Sequence, residues 1–277
     1  MRVTVAAGAG FCFGVRRALK IAFEAVRRGD GAVVTLGPII HNPQVVARLE
    51  EEGLRVVSDL AQESGGTLIV RSHGLPKSSL DEACEKGMEV VDATCPFVKQ
   101  AQERAAQLED EGHFVIVVGE KDHPEVLSIT GGLKRQALVV DGTRPLPDLP
   151  EAERYGVVSQ TTQPQEHLLA VVGQLLERTR ELKVFNTICD ATFERQESAL
   201  ELAHDVDVML VVGGRNSANT RRLWELCVAA GCDAHQIETA EEVDPEWFQG
   251  KEAVGITGGA STPQWIIDEV VEAVAQM

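Results

Sequence analysis

The sequence predicts an α/β protein made of three similar small domains in succession. Short apolar runs of β type alternate along the chain with amphipathic stretches of helical periodicity, and short loops join them. A cysteine followed at once by such a helical stretch occurs three times, at Cys12, Cys95 and Cys189, with gaps of 83 and 94 residues. This alternation is typical of βαβ units with a largely parallel sheet. We therefore expect pseudo-symmetric α/β domains at residues 1–94, 95–188 and 189–277, arranged about a threefold axis.

The elements follow the same order in each unit. A β-type run leads to the cysteine in RVTVAA, EVVDAT and KVFNTI. After the helix comes a second run that ends in glycine and a polar loop: AVVTLG, HFVIVVG and DVMLVVGG. A helical segment, clearest in PQVVARLEEEG and NTRRLWELCVAAG, then precedes a short run (RVVS, ALVV, AHQIE) and a last strand (TLIVRSHG, YGVVSQTT, AVGITGGAS). One doubly wound domain is the alternative, and the threefold recurrence of this order favours three units.

The composition restricts the functional classes. With 277 residues, 44% of them apolar, the chain is long enough for two or three domains with buried cores. Its formal net charge of −17 argues against nucleic acid or an anionic membrane as the main partner. No apolar run approaches the roughly 20 residues that span a bilayer. The opening MRVTVAAGAG differs from a signal peptide because its apolar stretch is short and the basic residues follow it.

Six cysteines without an export signal predict a reducing cytoplasm and metal binding rather than a disulfide framework. The three cysteines of the repeat supply three equivalent thiolates and leave a fourth position open. That arrangement suits an iron–sulfur cluster better than a closed structural zinc site. Cys84, Cys227 and Cys232 lack the context of the repeat, and we expect them to be structural.

The repeat also aligns polar residues in the loops that follow its strands. Three of them lie 28 or 29 residues after their cysteine, and three lie in the later turns: His41, His123 and Ser217, then His73, Thr161 and Ser261. Because ligands of parallel α/β sheets bind beyond the carboxyl ends of the strands, we expect these loops and the cysteines to face one centre.

The chemistry of this set suits a phosphate or diphosphate, because histidines, hydroxyls, Asn219 and helix N-termini offer many donors and little negative charge. Glu125, beside His123, and Thr161 would handle protons. Taken singly, these residues have simpler interpretations. Ser217 and Asn219 are suited to capping a helix, and Glu125 is typical of a first helical turn.

The ordered motifs identify a family. GFCFGVRRA, IIHNPQVV, SHG, DATCPFV, DHPEV, SQTT, ICDAT-x-x-RQ, GGRNSANTRRL and TGGASTP occur in this order over nearly the whole chain. The chain thereby resembles the 4-hydroxy-3-methylbut-2-enyl diphosphate reductase family, the last enzymes of the non-mevalonate isoprenoid pathway.

The resemblance implies a cloverleaf of three α/β domains around one [4Fe–4S] cluster per chain with an open iron site. It implies that Cys12, Cys95 and Cys189 are the cluster ligands and that Glu125 and Thr161 deliver protons. The residues that it implies for diphosphate binding are His41, His73, His123, Ser217, Asn219 and Ser261. The family commonly has a second serine where this chain has Ala218, so one hydroxyl contact is missing.

The implied reaction is reductive dehydroxylation of 4-hydroxy-3-methylbut-2-enyl diphosphate to isopentenyl and dimethylallyl diphosphate, with two electrons and two protons. Basic residues on the first helix, Arg27 and Arg28 among them, suggest docking of an acidic ferredoxin or flavodoxin as electron donor. A solvated helix face is the simpler interpretation of these charges. Two other functions remain open: a non-catalytic iron–sulfur or zinc module that senses a phosphorylated metabolite, and a metal-free phosphosugar-binding protein.

Overall fold

The computed structural model describes residues 1–29 and 31–277. In these residues twelve strands form three four-stranded sheets, with strand orders β1-β12-β10-β11, β3-β2-β4-β5 and β7-β6-β8-β9. All of their pairings are parallel. The predicted α/β class with parallel sheets is confirmed. The strands are β1 (Arg2–Val5), β2 (Val33–Leu36), β3 (Leu54–Val57), β4 (Thr67–Val70), β5 (Glu89–Asp92), β6 (Phe114–Val118), β7 (Leu138–Val140), β8 (Tyr155–Ser159), β9 (Leu182–Val184), β10 (Val208–Val212), β11 (Asp233–Ile237) and β12 (Ala253–Gly258).

Helices connect the strands, as parallel pairing requires. Three long helices each begin directly after a cysteine of the repeat: α1 (Phe13–Arg28), α4 (Pro96–Asp110) and α7 (Asp190–Asp205). The other helices are α2 (Pro43–Glu51), α3 (Lys77–Glu85), α5 (Pro124–Thr130), α6 (Gln165–Leu176), α8 (Ala218–Ala229) and α9 (Gln264–Ala275). None of the helices in the described residues is long and apolar enough to cross a membrane.

The two central strands of each sheet form the core. Every residue of β4, β8, β10 and β12 is buried, and β2 and β6 are buried except for one half-buried end residue each. Their continuous apolar sequences follow from this position, because helices cover both faces of a parallel sheet. The edge strands β1 and β5 expose residues at both ends.

A repeat unit is counted here from the strand that leads to its cysteine. That strand pairs with the last strand of the preceding unit. Thus β5 pairs with β4, and β9 pairs with β8. Following the same rule, β1 pairs with β12, so the first strand of the chain completes the sheet of the last segment.

The chain divides into two compact units. The first contains Met1–Arg16, Ile40–Arg48 and Asp190–Met277, and the second contains Arg17–Ile39 and Leu49–Cys189. The sheet of β1 and β12 belongs to the first unit, and the other two sheets belong to the second. The three domain ranges expected from the sequence stay a prediction.

Candidate functional site

The three cysteines of the repeat have the same main-chain environment. Each N–H donates to a carbonyl oxygen two residues beyond the strand that pairs with the strand leading to that cysteine, and each cysteine directly precedes a helix. The donor–acceptor pairs are Cys12 to Ala260 (3.1 Å), Cys95 to Ser72 (2.9 Å) and Cys189 to Thr161 (3.1 Å). The repeat that the sequence predicted is thus present at the level of single hydrogen bonds.

This position suits a negatively charged ligand. The first N–H groups of a helix carry partial positive charge and attract negatively charged groups. At α1 the Sγ of Cys12 already accepts from the N–H of Val15, at 3.4 Å. All three thiols are partly exposed. The donor set therefore fits an iron–sulfur cluster, although no three His, Cys, Asp or Glu side chains within residues 1–29 and 31–277 form a metal-binding group.

The other three cysteines differ from this pattern. Cys227 is buried on α8, and burial raises the pKa of its thiol to about 12. Burial also raises the pKa of Cys232, and Cys84 is exposed on α3. A thiol that resists ionisation is a poor metal ligand.

Glu125 and Thr161 form a buried pair in the second unit. The strands before them, β6 and β8, are neighbours, with Val118 opposite Ser159, so their carboxyl ends deliver both residues to one place. The N–H of Thr161 donates to Oε1 of Glu125 at 2.6 Å, and its hydroxyl donates to Oε2 at 2.9 Å. Glu125 is only 2% exposed. The carboxyl group is therefore held at both oxygens by one residue.

Burial raises the pKa of Glu125 to about 7, because a charged carboxylate loses its hydration there. The two hydrogen bonds from Thr161 favour the carboxylate and partly oppose the shift. Near neutral pH the group therefore exists in both protonation states, as a general acid requires.

His123 and His73 lie beside this pair. His123 precedes α5, and its Nδ1 accepts from the N–H of Glu125 at 3.2 Å. The rings of His73 and His123 meet edge to face, with their centroids 5.6 Å apart. The Oγ of Ser128 lies 2.9 Å from the carbonyl oxygen of His73 and 2.7 Å from that of Glu125. Ser128 therefore ties the turn after β4 to the first turn of α5.

Gly74 makes this close approach possible. Its φ is +78°, and a Cβ atom there would lie 2.7 Å from Nε2 of Gln102 and 2.9 Å from Oγ of Ser128. Any other residue would be strained and would displace the turn that carries His73.

In the first unit, His41 lies between two glycine-rich loops. Its carbonyl oxygen accepts from the Oγ of Ser261 at 3.1 Å, and a Cβ atom on Gly214 would come within 2.6 Å of that oxygen. Ser217 caps α8 by accepting from the N–H of Thr220. Ser217 is therefore a helix cap, as its sequence context suggested, whereas Asn219 lies in the first turn of α8 and does not cap it.

Asn219 has unused hydrogen-bonding capacity. It is 4% exposed, and in the part of the chain that the structure describes neither its Oδ1 nor its Nδ2 has a hydrogen-bond partner. Leaving such groups buried costs about 1–3 kcal/mol each, so they indicate a ligand or ordered water.

Asn42 is a residue that the sequence interpretation missed. Its Oδ1 accepts from the N–H of Val45 and so caps α2, and its buried Nδ2 has no hydrogen-bond partner among the described residues. An asparagine directly before proline at a helix start was the available signal.

The raised pKa of Glu125 predicts a pH-dependent stability. The folded chain binds the proton more tightly than the unfolded chain, whose carboxyl has a pKa near 4.5. The stabilising contribution of that proton is thus complete below pH 4.5 and is lost as the pH rises through 7. The side chain of glutamine does not titrate, so from pH 5 to 8 the wild type should lose about 2.5 kcal/mol of unfolding free energy relative to Glu125→Gln.

Denaturant unfolding at several pH values measures this difference. Glu177→Gln, at the exposed end of α6, controls for the loss of one acidic group. Parallel pH profiles for the wild type and Glu125→Gln would contradict the prediction.

Comparison with known proteins identifies the family. The model of the family described as "LytB protein" matches residues 3–275. A protein of Pelobacter propionicus named 4-hydroxy-3-methylbut-2-enyl diphosphate reductase is 53% identical over 277 residues, which cover 100% of this chain and 99% of the relative. One of the same name from Geobacter metallireducens is 50% identical over 277 residues, covering 100% and 98%.

Solved structures agree with this result. One described as (E)-4-hydroxy-3-methyl-but-2-enyl diphosphate reductase, the terminal enzyme of the non-mevalonate pathway, is 47% identical with a TM-score of 0.74 and covers 100% of both chains. The Plasmodium falciparum reductase structure, 24% identical with a TM-score of 0.92 and covering 98% of this chain and 87% of the other, supports the fold. The resemblance inferred from the motifs is confirmed: the chain belongs to the LytB family.

Proposed function

We propose that this chain reduces 4-hydroxy-3-methylbut-2-enyl diphosphate to isopentenyl and dimethylallyl diphosphate. The substrate takes up two electrons and two protons, loses its hydroxyl group as water and keeps its diphosphate. The family of the chain supports this reaction. The structural observation that carries it is the buried Glu125–Thr161 pair, a proton donor with a pKa of about 7 next to His123.

The cofactor of the proposal is one [4Fe–4S] cluster with an open iron site, held by Cys12, Cys95 and Cys189. Their shared position before a helix and their shared N–H contact support equal roles. When bound, such a cluster supplies electrons one at a time and a Lewis-acidic iron without a protein ligand. The reducing cytoplasm is the compartment that keeps these thiols available.

Binding of the diphosphate is the role proposed for His41, His73, His123, Ser217, Asn219 and Ser261. The unpartnered amide of Asn219 supports it, because a buried donor at the start of α8 suits a phosphate oxygen. Ala218 offers no hydroxyl, so this chain binds with one donor fewer than a sequence with serine there.

Proton delivery is the role proposed for Glu125 and Thr161. Glu125 holds the proton, and the hydroxyl of Thr161, 2.9 Å from Oε2, passes it to the hydroxyl oxygen of the substrate. That oxygen leaves as water. A second proton, taken at either end of the allylic carbons, gives the two products.

The electron donor of the proposal is an acidic ferredoxin or flavodoxin that docks on the last turn of α1. Arg27 and Arg28 are exposed there, Arg27 over the ring of Phe23 and Arg28 at 3.6 Å from Glu89. These basic groups stand out in a chain with a formal charge of −17.

Replacement of the cysteines tests the cofactor. We expect Cys12→Ser, Cys95→Ser and Cys189→Ser each to lose the cluster and nearly all turnover, whereas Cys84→Ser keeps both. Anaerobic purification with iron, sulfide and zinc analysis measures this. Full iron content in a ligand variant would contradict the assignment. Zinc instead of iron in the wild type would favour the sensor alternative, and absence of metal the phosphosugar-binding one.

Replacement of Glu125 tests the proton donor. Glu125→Gln preserves shape and should bind the cluster and substrate while kcat falls by about 10²–10⁴. Wild-type kcat should fall as the pH rises above 7, because the protonated carboxyl is the active form. His41→Asn should instead raise KM first. Steady-state kinetics with a one-electron donor measure kcat and KM for these variants. A near wild-type kcat in Glu125→Gln would show that the proton has another source.

Charge reversal tests the docking surface. Arg27→Glu with Arg28→Glu should lower kcat/KM for reduced ferredoxin or flavodoxin at least several-fold at low salt, and added salt should shrink the difference. Arg178→Glu with Arg180→Glu changes the charge equally on another exposed segment and serves as the control. Rates with a small viologen donor should stay unchanged. Equal donor kinetics in both double variants would remove the docking proposal.

A further inference from the structure

Two arginines hold the main chain that leads into proposed cluster ligands. Arg17, on α1, donates from Nη1 to the carbonyl oxygen of Thr94, the residue bonded to Cys95, at 3.0 Å. Arg195, on α7, donates from Nη2 at 2.7 Å to the carbonyl oxygen of Gly10, two residues before Cys12.

Both contacts are made to main-chain carbonyl oxygens. No carboxylate of the described residues forms an ion pair with Arg17, which is half-buried and has this carbonyl as its hydrogen-bond partner. Arg195 is 6% exposed, and its second nitrogen, Nη1, donates to the carbonyl oxygen of Ala191 at 3.0 Å.

The main chain before Cys189 is held differently. The hydroxyl of Thr187 donates to the carbonyl oxygen of Ser159 at 2.6 Å and accepts from the N–H of Ser159 at 2.8 Å. A neutral hydroxyl group is therefore enough to hold the main chain before a cysteine. The arginines at the other two cysteines therefore supply something that a threonine does not, which is positive charge.

We propose that Arg17 and Arg195 are positioning residues of the cluster site: each fixes the peptides before a ligand cysteine and sets a positive charge near an anionic centre. Three thiolates make that centre negative, and uptake of an electron makes it more so. A nearby guanidinium therefore favours the reduced cluster and raises its midpoint potential. The inference rests on the proposed function, because it requires the cluster.

Methionine and lysine variants separate the fixing of the main chain from the effect of the positive charge. Arg17→Met and Arg195→Met keep the length of the stem and remove the charge, whereas Arg17→Lys and Arg195→Lys keep the charge and lose the planar donors. Matched controls exist in each unit: Arg178, in the second, donates to the carbonyl oxygen of Pro147, and Arg2, in the first, to that of Asp205. Neither acceptor lies near a cysteine in sequence.

The measurements are the iron and sulfide content after anaerobic reconstitution, the rate of iron loss to a chelator, and the midpoint potential from a spectroscopic redox titration. We expect both Met variants to release iron roughly tenfold faster and to have a more negative potential than Arg178→Met and Arg2→Met. The Lys variants should restore the potential while iron loss stays fast.

Potentials and iron-loss rates of Arg17→Met and Arg195→Met equal to those of their controls would overturn the inference. If circular dichroism shows that Arg195→Met does not fold, Arg195→Lys and the Arg17 variants decide the question. A wild type that takes up no iron and sulfide would overturn the proposed function and this inference together. A wild type that holds the cluster without reducing the substrate would overturn the activity alone.

Discussion

Parallel pairing of the strands is the constraint from which the positions of the candidate residues follow. Parallel neighbours need a helical crossover, so every loop that leaves the carboxyl end of a strand emerges at the same edge of its sheet. Each cysteine N–H consequently reaches a carbonyl two residues beyond β12, β4 or β8, the strand beside the one that leads to that cysteine. Because the same constraint recurs three times, the chain builds three cysteine positions with the same main-chain environment.

In the pair formed by Glu125 and Thr161, the burial that makes ionisation costly also keeps a proton available for the proposed function. A carboxyl with 2% exposure is costly to ionise, and the two hydrogen bonds from Thr161 recover only part of that cost, so its pKa remains near 7. A neighbouring cation would lower the pKa of Glu125, hold it as a carboxylate and leave no acid to give. Burial without a cation is therefore the arrangement that keeps a proton available at neutral pH.

The sequence predicted the central strands well because helices cover both faces, which makes their residues continuously apolar. The pairing of β1 with β12 could not be predicted in this way. It joins Arg2 to Ala253, and a local sequence pattern does not indicate so distant a partner. The motif DHPEV marked Glu125, but its pKa depends on burial by other elements. Ser128 was missed for the same reason, since it contacts His73, 55 residues away, only after folding. Asn42 caps a helix through Val45, three residues away, so its signal was local and was overlooked.

Arginine side chains hold the main chain before two of the proposed ligand cysteines. The chain as a whole is strongly acidic, and yet the peptides before Cys12 and Cys95 accept hydrogen bonds from guanidinium groups. Acidic residues at those positions would repel a thiolate-bound cluster and compete with it for helix N-termini. Lysine would carry the charge on a flexible ammonium, whereas the planar fork of Arg195 holds two carbonyls at once. Arginine therefore serves two purposes in the proposed cluster site: it fixes the main chain, and its positive charge would favour an anionic centre.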